Sequence, residues 1–305
     1  MIRKWVAALI CLFVSVTLIF RVSWASEPLE IWVSILPQKY FLEKIAGGLA
    51  KVSVMVPPGA NPATYEPRPA QMRRMARSKI YFAIGVPFER VWLKKVAAVN
   101  PEMQVVHTDR AIKKRAMVSG HHHAERDPLK KRQPRGIRGH GETTMDPHIW
   151  LSPPLVKIQA RVMADGLIRI DPTHKGMYED NLKDFEAELD QLDSELRRIF
   201  KRKGQGREFL VFHPSWGYFA DTYGLRQVSV ETEGKEPSAS EMAGLIRYCR
   251  DKGIKVILVQ PQFSAKSAKT IAREIGAKVV FVDPLHERWV ENLRSVAAEV
   301  EAALR

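Results

Sequence analysis

Short apolar runs and longer amphipathic stretches alternate along most of this chain. Runs at 29–36, 52–56, 80–84 and 103–106 form a first set, and runs at 209–212, 228–230, 256–259 and 278–282 form a second. They are rich in Val, Ile and Phe and largely continuous, the pattern of strands buried on both faces of a parallel sheet. Helical patterns lie between them, for example over 71–77 and 240–252, so each set reads as a series of βα units. The predicted fold is α/β, with two Rossmann-like lobes of parallel sheet.

The clearest periodicity lies between the two sets. Tyr178, Leu182, Phe185, Leu189, Leu192, Leu196 and Ile199 recur every three or four residues, with charged residues at most positions between. Asp171 as cap, Pro172 at the first helical position and Gly204 as the stop predict one helix over 172–203, about 45 Å long at 1.5 Å per residue. The same spacing suits a coiled-coil dimer seam. A short repeat placed between two α/β halves instead reads as a rigid spine packed on both lobes, in a monomer. The expected organisation is a leader at 1–25, an N-terminal lobe at 26–171, the linker helix at 172–203 and a C-terminal lobe at 204–305.

The leader sets the compartment. Arg3 and Lys4 precede an uncharged run over 5–20, which is short for a span that needs about 20 residues. Ser23-Trp24-Ala25 then offers small residues at the positions a signal peptidase reads, so cleavage after Ala25 and a periplasmic location are predicted. Cys11 leaves with the leader. Cys249, within the helical pattern at 240–252, is expected to be a buried small hydrophobe, so stability has to come from the core and not from a disulfide.

Of the 305 residues 45% are hydrophobic, enough to exclude wholesale disorder, while 48 Lys+Arg against 34 Asp+Glu give a net charge of +14. That excess first points to nucleic acid or an anionic membrane. Removing Arg3, Lys4 and Arg21 with the leader lowers it to +11. Between 113 and 138, nine Lys/Arg against two Asp/Glu supply +7 of this, leaving +4 for the rest. The charge therefore sits mainly in one loop, 110–145, which lacks helix or strand patterning and carries His121, His122, His123 and His140. No nucleic-acid partner is predicted. A nucleic-acid or surface-adhesive role through this loop is the reading that a salt-sensitive affinity for DNA or heparin, lost on loop deletion, would support.

No Gly-rich phosphate loop, Gly-x-Ser-x-Gly elbow or His-Glu-x-x-His motif is present. Histidines and carboxylates do stand at element ends. His213 ends the run 209–212, Asp283 ends the run 278–282, and His148 follows Asp146-Pro147. Open α/β sheets place ligands at strand carboxyl ends. Two imidazoles and a carboxylate suit zinc, or manganese or iron with added oxygen donors, although a lone strand-end histidine is more often a local hydrogen-bonding residue. His107, His174 and His286 are read as structural, with His286 a weaker extra donor because it lies three residues from Asp283.

Five segments occur in one order: residues 57–67, 145–153 and 212–220, then Glu236-Pro237-Ser238 and Val282-Asp283-Pro284-Leu285. Together they closely resemble the ZnuA-like zinc- and manganese-binding receptors of bacterial ABC importers, over nearly the whole chain from Ile31 to about Leu304. The resemblance implies two α/β lobes joined by one rigid helix, with the metal in the cleft between them. It places metal ligands at His148, His213 and Asp283. A His-rich charged loop before the second ligand and histidine at the third resemble zinc-type members.

The family's first histidine falls where this chain has Ala63, in Asn61-Pro62-Ala63-Thr64-Tyr65-Glu66-Pro67. A methyl group cannot ligate, so water, Glu66, or an imidazole from His140 or the 121–123 cluster is expected to complete the site. The implied function is capture of Zn²⁺ in the periplasm and its delivery to an ABC permease with its ATPase. The alternatives are a manganese or iron receptor of the same family and, from a different class, a zinc hydrolase using the open coordination position.

Overall fold

The computed structural model describes residues 28–117, 145–201, 207–231, 235–263 and 265–304. The leader, His121 to His123, His140 and Gly204 lie outside the described residues.

The first lobe is built from β1 (Leu29–Val33), α1 (Leu36–Ala46), β2 (Ala50–Val54), α2 (Pro69–Met75), β3 (Ile80–Ala83), α3 (Pro87–Val99) and β4 (Gln104–His107). Its strands run parallel in the order β2-β1-β3-β4. After α4 (Pro153–Ile170) and α5 (Lys175–Ile199) the second lobe follows. It comprises β5 (Glu208–Val211), α6 (Gly217–Tyr223), β6 (Arg226–Ser229), α7 (Ala239–Lys252), β7 (Val256–Val259), α8 (Lys266–Ile275), β8 (Lys278–Phe281) and α9 (Trp289–Ala303). Its sheet repeats the same parallel topology, β6-β5-β7-β8. Each order reverses beside its first strand, between β1 and β3 and between β5 and β7, which opens a crevice at the carboxyl edge.

Each predicted strand run contains or overlaps an observed strand. The long helix is shorter than predicted. Residues 172–174 form a 3₁₀ turn capped by Asp171, whose Oδ2 lies 2.6 Å from His174 Nδ1 and accepts from Tyr178 OH at 2.7 Å. The α-helix then covers 25 residues, about 37 Å at 1.5 Å per residue. Tyr178, Phe185, Leu189, Leu192 and Leu196 are buried, and Leu182 and Ile199 pack against the core at its margin. The apolar stripe is thus spent inside the molecule and leaves no coiled-coil seam.

No element was expected between Ser152 and Asp171, yet α4 fills it with 18 residues and packs along α5. Pro153 and Pro154 occupy its first positions, where a missing N–H costs nothing, and Val156, Ala160, Met163 and Leu167 form its buried stripe. Small residues at the contact hide this periodicity: a Cβ on Gly166 would stand 2.7 Å from Phe82.

The C-terminal helix crosses back to the first lobe. Trp289 meets Phe41 of α1 edge to face at 5.1 Å, and its Nε1 donates to Trp150 O at 2.9 Å. One continuous core runs from β1 through α4, α5 and α9 to one face of the second sheet, and a separate cluster fills the opposite face of that sheet. Cys249 lies in the latter, fully buried, and burial pushes its thiol up to about 12, so it is inert as expected.

Candidate metal centre

Backbone hydrogen bonds continue the second sheet past its strands and line up its carboxyl edge. Val230 N donates to Val211 O, Glu231 N to Phe212 O, Phe212 N to Leu258 O and Val282 N to Val259 O. His213, Glu231, Gln260 and Asp283 therefore emerge side by side. Gln260, fully buried, holds the backbone of His213 from both directions: His213 N donates to its Oε1 at 3.2 Å and its Nε2 donates to His213 O at 2.8 Å. Its Nε2 also donates to Ser215 Oγ at 2.9 Å, so Ser215 is a buried structural hydroxyl.

His148 arrives from the other side, in the turn that leads into the 3₁₀ segment Ile149–Leu151. Trp150 Nε1 donates to Pro284 O at 2.7 Å, tying this turn to the residue after Asp283. The result is an edge-to-face pair of imidazoles, His148 and His213, with centroids 5.3 Å apart.

Each ring is backed by a buried carboxylate. Asp146 Oδ1 stands 2.7 Å from His148 Nδ1 and accepts the His148 backbone N–H at 3.0 Å. Glu231 Oε1 stands 2.6 Å from His213 Nδ1. A carboxylate at Nδ1 places the ring proton there and leaves Nε2 as the lone-pair donor, the arrangement found around metal-ligating histidines. Burial lowers the pKa of His148, partly offset by Asp146, and so favours the neutral imidazole that ligation requires. Phe263 stacks on the other side of His213 at 5.0 Å and 19°.

Asp146 Oδ2 is buried without a hydrogen bond but lies 3.8 Å from Arg115 Nε. Arg115 pairs with Asp221 on α6 at 2.8 Å, and Tyr218 OH, accepting from Arg115 N, donates to Asp146 O at 3.0 Å. Gly217 makes room for this knot, since a Cβ there would stand 2.5 Å from Arg115 Nη1. No motif in the sequence singles out Asp146 or Glu231 as a partner of these rings. For Glu231 the available signal was a carboxylate just beyond the apolar run 228–230, the same placement that singled out Asp283.

The structure brings the rings of His148 and His213 together. Asp283 sits at the end of β8, its Oδ1 accepting from Gln262 Nε2 at 3.0 Å and Leu285 N at 2.9 Å. It is therefore linked to His213 through the short Gln262-Phe263 segment. Among the described residues no group of three His, Cys, Asp or Glu is poised to hold an ion. Ala63 and Glu66 are exposed in the loop after β2, where Ala63 N donates to Asn61 Oδ1 at 2.8 Å. His286 Nδ1 accepts from Arg288 N at 3.0 Å, a structural role, and His107 lies at the end of β4, 3.7 Å from Asp109.

Twin parallel sheets around a helical brace, with two carboxylate-backed histidines meeting between them, define a two-lobed metal-binding solute receptor. Residues 31–303 match the family model of the zinc-uptake complex component A, periplasmic, ZnuA, and the chain belongs to that family. A crystal structure of a ZnuA superposes with a TM-score of 0.81 at 41% identity, over 92% of this chain and all of that one. A zinc-bound ZnuA deletion mutant gives 0.80 at 41% identity, covering 91% of this chain and 98% of its own. The high-affinity zinc uptake system protein ZnuA of Bacillus subtilis is 29% identical over 261 residues, 85% of this chain and 79% of that protein. These relatives are uptake receptors, and the chain is a binding protein, not an enzyme, which removes the hydrolase alternative. No helix among the described residues is long and apolar enough to cross a membrane.

Proposed function

We propose that this chain captures Zn²⁺ in the periplasm and hands it to the permease of an ABC importer, whose ATPase supplies the energy. The observation that carries the reading is the convergence of His148 and His213 from opposite sides of the cleft, each with Nδ1 engaged by a buried carboxylate. Their Nε2 atoms are the assigned ligands. Asp283 is assigned as the third on the family motif and on its connection to His213 through Gln262 and Phe263. Two imidazoles and one carboxylate form a three-ligand set suited to zinc, with manganese or iron the alternative cargo. Water, Glu66 or an imidazole of the 110–145 loop fills the position that Ala63 cannot. That loop is assigned a low-affinity auxiliary role in metal handling.

The leader is cut after Ala25 and the processed chain acts as a monomer, a reading supported by the burial of the long helix's apolar stripe within the chain. A core continuous through both lobes favours release through small displacements over a wide hinge. Metal analysis of protein purified from its own periplasm, with X-ray absorption at the bound metal's edge, tests the assignment. One tightly held zinc per chain with two imidazoles in its shell is expected. H148A or H213A should each weaken binding beyond the ~10–100-fold cost of losing an outer-shell partner. A chain carrying no zinc, or an unchanged metal shell in both variants, overturns it.

A further inference from the structure

The low net charge left after the leader and the loop are set aside conceals a strong segregation. From 67 to 101 the chain carries eight cations, Arg68, Arg73, Arg74, Arg77, Lys79, Arg90, Lys94 and Lys95, against one carboxylate, Glu89. All eight cations are exposed, whereas Glu89 is only 3% exposed, buried against Ser34 and the Ile84 and Gly85 amides. Among the described residues none of the eight is in an ion pair. Cations elsewhere commonly are: Lys39 pairs with Glu287, Lys44 with Glu188, Arg250 with Glu274 and Arg294 with Glu195.

Topology gathers these charges onto one surface. Arg74 on α2 lies over Trp32 at 5.5 Å and donates to Ser53 Oγ at 3.3 Å, and Trp32 and Ser53 are register partners on the same sheet face. Tyr81, the register partner of Trp32 on β3, connects through Ser34 to Glu89 on α3. Helices α1 and α4 cover the opposite face, where Gly166 abuts Ile80 and Phe82. The α2–α3 side is therefore the outer wall of the first lobe. On α3, Val91, Lys95 and Val99 recur every fourth residue with the valines 59% and 55% exposed, and Lys95 Nζ sits 4.0 Å over the half-buried Trp92 ring.

We infer that this face binds the surface of an anionic phospholipid bilayer. Unpaired like charges on one wall repel one another in the free protein and are relieved by an anionic partner. Guanidinium forks, the majority here, match phosphodiester oxygens. Exposed valines and an indole among the cations are the composition of an interfacial helix face, which enters the headgroup boundary. Val91 and Val99 stand within the field of cations, the arrangement suited to a headgroup boundary, where acyl chain lies directly beneath a continuous layer of phosphates.

The test is co-sedimentation of the chain purified from periplasm with vesicles of equal parts phosphatidylcholine and phosphatidylglycerol, and with phosphatidylcholine alone. Binding only to the anionic vesicles, weakening with salt, is expected. At about 1 kcal/mol per Lys or Arg near a charged surface, each cation removed lowers partitioning roughly fivefold, so R73Q/R74Q/K94Q/K95Q should lose several-hundredfold. K269Q/R273Q, on the exposed side of α8, should lose far less, and circular dichroism and zinc affinity should be unchanged in both. Equal binding to neutral vesicles, undiminished binding by the quadruple variant, or binding abolished by deleting residues 119–141 alone overturns the proposal. Tighter binding to immobilised poly-glutamate than to the anionic vesicles, with V91S/V99S binding the vesicles as well as wild type, would assign the face to an acidic protein and overturn the lipid assignment.

Discussion

The imidazoles of His148 and His213 meet with centroids 5.3 Å apart and ring planes inclined at 71°. One ring is carried by a turn after the first sheet and the other by the segment that follows β5, an inner strand of the second, so their meeting depends on how the lobes are braced. Glu231 and Gln260 then fix His213, while Asp146 and the Trp150–Pro284 contact fix His148.

The backing carboxylates give the most direct check. D146N and E231Q keep side-chain size but remove the charge that holds each Nδ1 proton. Each should lower zinc affinity about 10–100-fold with the far-ultraviolet spectrum unchanged. Competition titration against a zinc chelator measures this, and wild-type affinity in both variants would show that the carboxylates do not orient the rings.

At the first-ligand slot, A63H should restore an imidazole in the exposed loop after β2. Tighter binding and one additional nitrogen in the zinc shell are expected from titration with X-ray absorption. Unchanged affinity and coordination number would mean that Ala63 does not weaken the site.

Deleting residues 119–141 should leave the tight site intact and lower the number of zinc ions bound per chain at high metal. A loss of the tight site instead would place a loop histidine among its ligands.

Stability against pH has two opposing contributions. Burial raises the Glu89 carboxyl to about 7, offset in part by its hydrogen bonds, so the folded state holds a proton that the unfolded chain releases. This contribution is full at acid pH and fades as pH rises from the ordinary carboxylate range to about 7. The lowered pKa of His148 acts the other way, adding stability that is present above the usual histidine range and lost as pH falls. The difference between wild type and E89Q in urea unfolding isolates the first, and should change by a few kcal/mol across this window at about 1.4 kcal/mol per pKa unit. A flat difference curve would show that Glu89 ionises normally.

Trp289 closes the core between the C-terminal helix and the first lobe. W289A removes its edge contact with Phe41 and orphans Trp150 O, and should cost about 3–5 kcal/mol by urea unfolding. A cost below 1 kcal/mol would mean that α9 is not part of the shared core.

Strands were legible because a parallel strand covered on both faces must be continuously apolar, and α5 because its stripe is made of large residues at helical spacing. α4 was not, because close packing against the sheet demanded Ala and Gly where periodicity needs large side chains. The ordered motifs likewise marked His148, His213 and Asp283, but not the partners that hold them. Gln260 lies 47 positions from His213, and the rotation that brings Glu231 under His213 is set by the β5–β6 register.

By itself, then, the sequence determined the two α/β halves, the spine helix and the residue types of a metal site. Local spacing and apolar continuity encode these within a dozen residues. Only the tertiary structure decided that two histidines from different lobes meet, that each rests on a buried carboxylate, and that the cationic helices α2 and α3 share one side of the first sheet. Those relationships depend on crossover handedness, register and helix packing between distant segments, which no local pattern contains.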